Sequence, residues 1–103
     1  MKIVLSKEGV PIRLTTERME HISRRHPEMA DQEEKILEAV TDPDLIQEGD
    51  GDTKIALRHY PETPLTEKFC AVVYRELSKS DGFVVKAYFC RSYSIHRRTL
   101  WKR

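Results

Sequence analysis

The hydrophobic rhythm of this chain changes at Pro43, and that change limits what it can fold into. Before Pro43 apolar residues recur at helical spacing, with Met19 and Ile22 in one segment and Ile36, Leu37 and Val40 in the next. After it, apolar, aromatic and β-branched residues run in short extended blocks separated by tight turns. Helices followed by a run of strands argue for an α+β fold, two N-terminal helices packed on a mostly antiparallel sheet of four or more strands.

The local signals give the elements in order. Lys2 to Leu5 reads as a short strand, Lys7-Glu8-Gly9 as a turn, and Val10 to Leu14 as extended chain that Pro11 restricts to an edge or a non-ladder segment. Thr15-Thr16-Glu17 suits a helix start, with a threonine N-cap and an acid in the first turn, and Pro27 ends that helix near His26. Asp31 and Glu34 are spaced as a capping box for a second helix that Asp42-Pro43-Asp44 ends. Leu45 to Glu48 and Thr53 to Tyr60 flank Gly49-Asp50-Gly51-Asp52, a hairpin turn with an Asp-Gly signal; it lacks the full pattern of a calcium loop. Pro61 to Glu67 reads as a loop. Phe69 to Leu77 and Phe83 to Cys90 read as strands about a turn at Ser80-Asp81-Gly82, with an edge strand or short tail over Ser94 to Lys102.

The 103 residues fit one domain, 1–103, with one core and no linker. Cys70 and Cys90 sit in apolar runs and read as small buried hydrophobes, without a C-x-x-C pair. The first apolar run is too short for a signal peptide, and no stretch is long enough to span a membrane, so the expected location is cytoplasmic. The net charge of +1 hides an asymmetry: residues 1–52 hold 7 Lys and Arg against 13 Asp and Glu, residues 53–103 hold 11 against 4. A polyanion would be drawn to the second half, although basic residues on a sheet's solvent side also serve solubility.

The densest group of chemical side chains is His21-Ile22-Ser23-Arg24-Arg25-His26. His21 and Arg25 are four apart and share a helix face. Histidine titrates near neutrality, and a guanidinium grips phosphate bidentately. These are the groups a phosphodiester transesterification without a metal requires: a base, an acid and a cation. The same residues also suit a basic helix edge with His26 capping its C-terminus, but His26 falls in phase with Met19 and Ile22 and should lean towards the sheet. His21 and His26 are five apart and lack a third ligand nearby, so neither metal nor other cofactor is expected. Arg58 on one strand, Tyr74 near the end of the next, and Arg91 and Ser92 after the one following can line a phosphate pocket or act as solvated cross-strand partners. Arg97, Arg98, Thr99 and Trp101 give a basic tail with an aromatic, suited to single-stranded RNA; Trp101 can equally plug the core.

The stretch Ile12 to Glu28, with its Leu14-Thr15 and its Arg25-His26-Pro27-Glu28, resembles the opening of the phage-associated branch of the barnase–EndoU–colicin–RelE (BECR) nuclease superfamily. The resemblance continues through Glu38 to Asp44, through Asp81 to Arg91, and in the closing Leu100-Trp101-Lys102-Arg103. It implies a helix pair followed by an antiparallel sheet, and metal-independent RNA cleavage, often by a toxin or phage-borne effector. On matching positions His21 and His26 become acid and base, Arg25, Arg58 and Arg91 phosphate binders, and Ser92 or Thr99 a substrate-positioning hydroxyl. The expected partner is RNA, with an antitoxin or immunity protein as a further one. A non-catalytic RNA-binding module and a small protein-interaction domain remain the alternatives.

Overall fold

The computed structural model describes residues 1–61 and 69–103. The loop expected over Pro61 to Glu67 therefore lies, from residue 62 on, outside the described residues. A hairpin of β1 (Lys2–Leu5) and β2 (Pro11–Leu14) comes first. Then follow α1 (Thr16–Arg25), a 3-10 turn (Pro27–Met29), α2 (Glu33–Thr41), β3 (Leu45–Glu48), β4 (Thr53–His59), β5 (Phe69–Ser78), β6 (Asp81–Cys90) and β7 (Thr99–Lys102). The strands form one seven-stranded sheet in the order β1-β2-β6-β5-β4-β3-β7. Every pairing is antiparallel except β2 with β6. The α+β class holds, with the helices placed after the first hairpin rather than at the N-terminus. Among the described residues no helix is long and apolar enough to cross a membrane.

The two helices form as their ends dictate. The Thr15 side chain accepts the Arg18 N–H at 3.1 Å, and Arg24 and Arg25 sit in the last turn of α1, where cations favour the helix dipole. Pro27 then opens the 3-10 turn. The capping box expected for α2 does not form: Asp31 takes a left-handed conformation (φ 65°), and Gln32 occupies the cap position without a side-chain bond. Both helices lie on one face of the sheet. Ile22, Met29, Ile36, Ala39 and Val40 pack there with Ala56, Cys70, Val72, Tyr74, Val84 and Ala87. Each large apolar side chain fully buried in this layer contributes roughly 1.5–3 kcal/mol.

Strand alternation sends Leu45, Ile55, Leu57, Ala71 and Val73 to the other face, where they form a second cluster. No helix covers it. Its cover is the connection from β6 to β7, residues 91–98, which must cross β5, β4 and β3 because β7 pairs with the far edge of β3. Tyr93 packs on the second cluster and meets Phe69 edge-on at 5.8 Å. Gln47, buried on the same face, donates from Nε2 to the Ser94 carbonyl at 2.7 Å. Arg97 reaches Asp50 at 3.1 Å, and the Glu48 N–H donates to the Arg98 carbonyl at 2.9 Å. This crossing segment is a strap over half of the face.

Two expectations change with the sheet order. Pro11 lies in an interior strand, tolerated as its first residue, because β2 joins β6 through Ile12 and Arg13 only. The strands after Pro43 do form a meander, β3 to β6, but it is extended on one side by the first hairpin and on the other by β7. The junction with the hairpin is tight: a Cβ at Gly82 would stand 2.6 Å from both the Arg75 carbonyl oxygen and Ile12 Cδ1. Gly82→Ala should therefore destabilise the protein by about 1–3 kcal/mol in urea unfolding. An unchanged midpoint would mean that β2 and β6 are not in this contact.

Candidate functional site

Pairing of β2 with β6 ends at Phe83, and α1 then runs beside the remainder of β6. At that point β6 carries a bulge: Lys86 pairs with Val73 and Val84 with Tyr74, leaving Val85 as the extra residue. Arg18 donates from Nη1 to the Val85 carbonyl at 3.3 Å, which ties the helix to the bulge. Two hollows meet here. One, about 190 Å³, is lined by Arg18, His21, Ile22, Arg25, His26, Val85 and Lys86. The other, also about 190 Å³, is lined by Val85, Lys86, Tyr88 and Arg97, with Asp50, Thr53, Ile55 and Val73. Val85 and Lys86 belong to both, so the hollows form one groove. The groove wraps the open edge of β6 at the bulge, with α1 on one side and, on the other, the sheet face without helices and Arg97 of the strap.

The groove's ionisable groups divide by what they already hold. Arg97 is paired with Asp50 at 3.1 Å, and the guanidinium keeps the Asp50 carboxyl below the usual carboxylate range. Arg25 and Lys86 have no ion-pair partner among the described residues. Both face the groove, where a phosphate would meet them, Lys86 within the electrostatic reach of Asp50. His26, the residue that caps the end of α1, is half-buried, with its ring 5.8 Å from that of Tyr88 and its Nδ1 3.2 Å from Glu28 Oε1. His21 is exposed on the same wall. Burial first, and the nearby Cys90 second, push the Tyr88 phenol above its ordinary pKa, so it remains a hydrogen-bond donor at neutral pH. Among the described residues no group of three or more His, Cys, Asp or Glu side chains is placed to hold a metal ion.

The structure thus gathers His21, Arg25, His26 and Arg97, and it keeps the other expected residues elsewhere. Arg58 points to the helix side, where Nη1 donates to the Asp42 carbonyl at 2.7 Å and Nε lies 3.2 Å from Glu38. Tyr74 is fully buried in the helix-side core, its hydroxyl without a hydrogen-bond partner among the described residues, so it is off any RNA-binding surface. Trp101 pairs with Ile46 on that same side of the sheet and carries the Lys7 ammonium 4.5 Å from its ring centroid. Arg91 and Ser92 are exposed at the start of the strap, Arg98 stands 3.8 Å from Glu48 at its end, and Thr99 pairs with Gln47. None of these lines the groove. The pocket expected from Arg58, Arg91 and a histidine does not assemble, because strand alternation turns Arg58 away.

Sequence reading missed Arg18, Glu28, Lys86 and Tyr88. Lys86 and Tyr88 lie two apart on a strand, a spacing that marks one face, but which face depends on the bulge at Val85. No family model matches the chain, and no curated protein or solved structure matches it either.

Arg58 belongs instead to an ion network that closes the C-terminus on the end of α2. Arg103 and Arg58 both bond the Asp42 carboxylate and hold its carboxyl below the ordinary value. A lowered pKa stabilises the fold above the unfolded value of about 3.9, and that contribution is lost as pH falls through the lower folded value. Asp42→Asn should therefore reduce stability at neutral pH and lose less on acidification than the wild type. Parallel pH profiles of the two proteins in thermal unfolding would contradict this.

Proposed function

We propose that the protein is an endoribonuclease of BECR type that cuts RNA by attack of the 2′-hydroxyl on the adjacent phosphorus. The observation that carries this reading is the groove itself, with His21, His26 and Arg25 on the α1 side, Lys86 at the bulge and Arg97 on the strap side. One of His21 and His26 takes the 2′-hydroxyl proton as the new P–O bond forms. The other gives a proton to the 5′ oxygen as its bond to phosphorus breaks, leaving a 2′,3′-cyclic phosphate and a free 5′-hydroxyl. Arg25 and Lys86 offset the charge that builds on the phosphoryl oxygens. Arg97 leaves Asp50 for a neighbouring phosphate, and Tyr88 offers a ring and a hydroxyl to a nucleoside. A toxin or phage-borne effector with an antitoxin or immunity protein as partner fits this reading, since a nuclease acting in its own cell needs restraint.

Purified protein should cut single-stranded RNA in the presence of a chelator and leave cyclic phosphate ends. His21→Ala and His26→Ala should each lower the rate by about 10²–10⁴-fold. Arg97→Ala should act mainly on KM. RNA left intact at stoichiometric protein would overturn the enzyme reading, and binding without cutting would favour an RNA-binding module in its place.

A further inference from the structure

Glu28 lies outside both helices, and neither its exposure nor its charge alone marks it as functional. Its place beside His26 does. The backbone of His26 is fixed on both sides: its N–H donates to the Ile22 carbonyl at 2.8 Å, and its carbonyl accepts from the Met29 N–H at 2.8 Å. The ring of Pro27 fixes its own φ, and Met29 is fully buried, so the short turn carrying Glu28 is anchored at both ends. The ring of His26 then sits between the Glu28 carboxylate, 3.2 Å from Nδ1, and the Tyr88 ring, 5.8 Å away and tilted by 35°. Both side chains keep about a third of their surface exposed, 36% for His26 and 34% for Glu28, so the pair is at the groove's margin rather than in the core. His21 and Arg25 lie on the same helix, and Lys86 and Tyr88 face the groove from β6.

A carboxylate beside one ring nitrogen of a neutral imidazole draws the proton to that nitrogen and leaves the lone pair on the other. The Glu28 carboxylate, 3.2 Å from Nδ1, acts by charge proximity and favours the proton there over Nε2. Free imidazole side chains have no such constraint and exchange between both forms.

We infer that Glu28 is a positioning residue, which holds His26 in the Nδ1-protonated form so that Nε2 serves as the proton acceptor in the groove. This rests on the ribonuclease reading for its consequence, since it makes His26 the base that takes the 2′-hydroxyl proton and His21 the acid that protonates the departing 5′ oxygen. The tautomer itself does not depend on that reading. During the reaction Nε2 gains a proton, the ring becomes an imidazolium, and the adjacent carboxylate stabilises the charge without taking the proton.

The test has two arms. Nitrogen-15 NMR of the imidazoles, at a pH well above the ordinary histidine range, reads the tautomer directly. His26 should be protonated at Nδ1 in the wild type and should shift towards the Nε2-protonated form in Glu28→Ala, with His96 unchanged as an internal control. In the second arm Glu28→Ala should lower kcat for RNA cleavage by about 10- to 100-fold with KM little changed, and Glu28→Asp should recover part of the loss. An Nε2-protonated His26 in the wild type, or a tautomer indifferent to Glu28→Ala in a protein whose other amide shifts are unchanged, would overturn the inference. The expected tautomer in a protein that cuts no RNA would leave the Glu28–His26 coupling standing and remove the ribonuclease reading alone.

Discussion

The arrangement of the whole molecule depends on one topological constraint: β6 is interior to the sheet, while β7 pairs on the far side of β3. The connection must pass over three strands, a span of about 19 Å at the usual inter-strand spacing. Residues 91–98 reach about 26–29 Å when fully extended, enough to cross directly over the face. The helices already occupy the other face, which leaves the strap only the side bearing Leu45, Leu57 and Ala71. Its burial of those residues stabilises the fold, and its far end brings Arg97 to the groove. The same crossing that completes the core therefore builds one wall of the candidate site.

The opposite wall has a similar double origin. Because β2 leaves β6 after two paired residues, the rest of that strand is open to α1, and the bulge at Val85 turns a carbonyl towards Arg18. Two sets of cations in this protein contrast. Arg13, Arg58 and Arg103 are held by Asp81, by Asp42 with Glu38, and by Asp42 with Asp44; they close strands and ends. Arg25 and Lys86 carry charge into the groove without such partners among the described residues. Charge asymmetry along the sequence pointed to the second half of the chain, but much of that positive charge is neutralised by acids of the first half when the chain folds.

What the sequence made legible was local. The Thr15 cap, the stop at Pro27, the Asp-Gly hairpin and the meander from β3 to β6 each rest on residues close together in the chain, and each is seen in the fold. The features that escaped are those decided by distant partners: the parallel contact of β2 with β6, the final position of β7, and the bulge that orients Lys86 and Tyr88. Arg58 shows the limit most clearly. Its alternation with His59 was readable, but which of the two faces received the helices was not, and that decides whether Arg58 meets a phosphate or Asp42. Trp101 and Tyr74 went astray for the same reason.

The central claim is that the groove between α1 and the strap is where nucleic acid binds. The most direct measurement is NMR shift mapping with a single-stranded 2′-O-methyl RNA, whose blocked hydroxyls prevent cleavage. The expected result is saturable change confined to His21, Arg25, His26, Lys86, Tyr88 and Arg97, with Arg58, Tyr74 and Trp101 undisturbed. Changes centred on Trp101 and the helix side, or none at all, would contradict it.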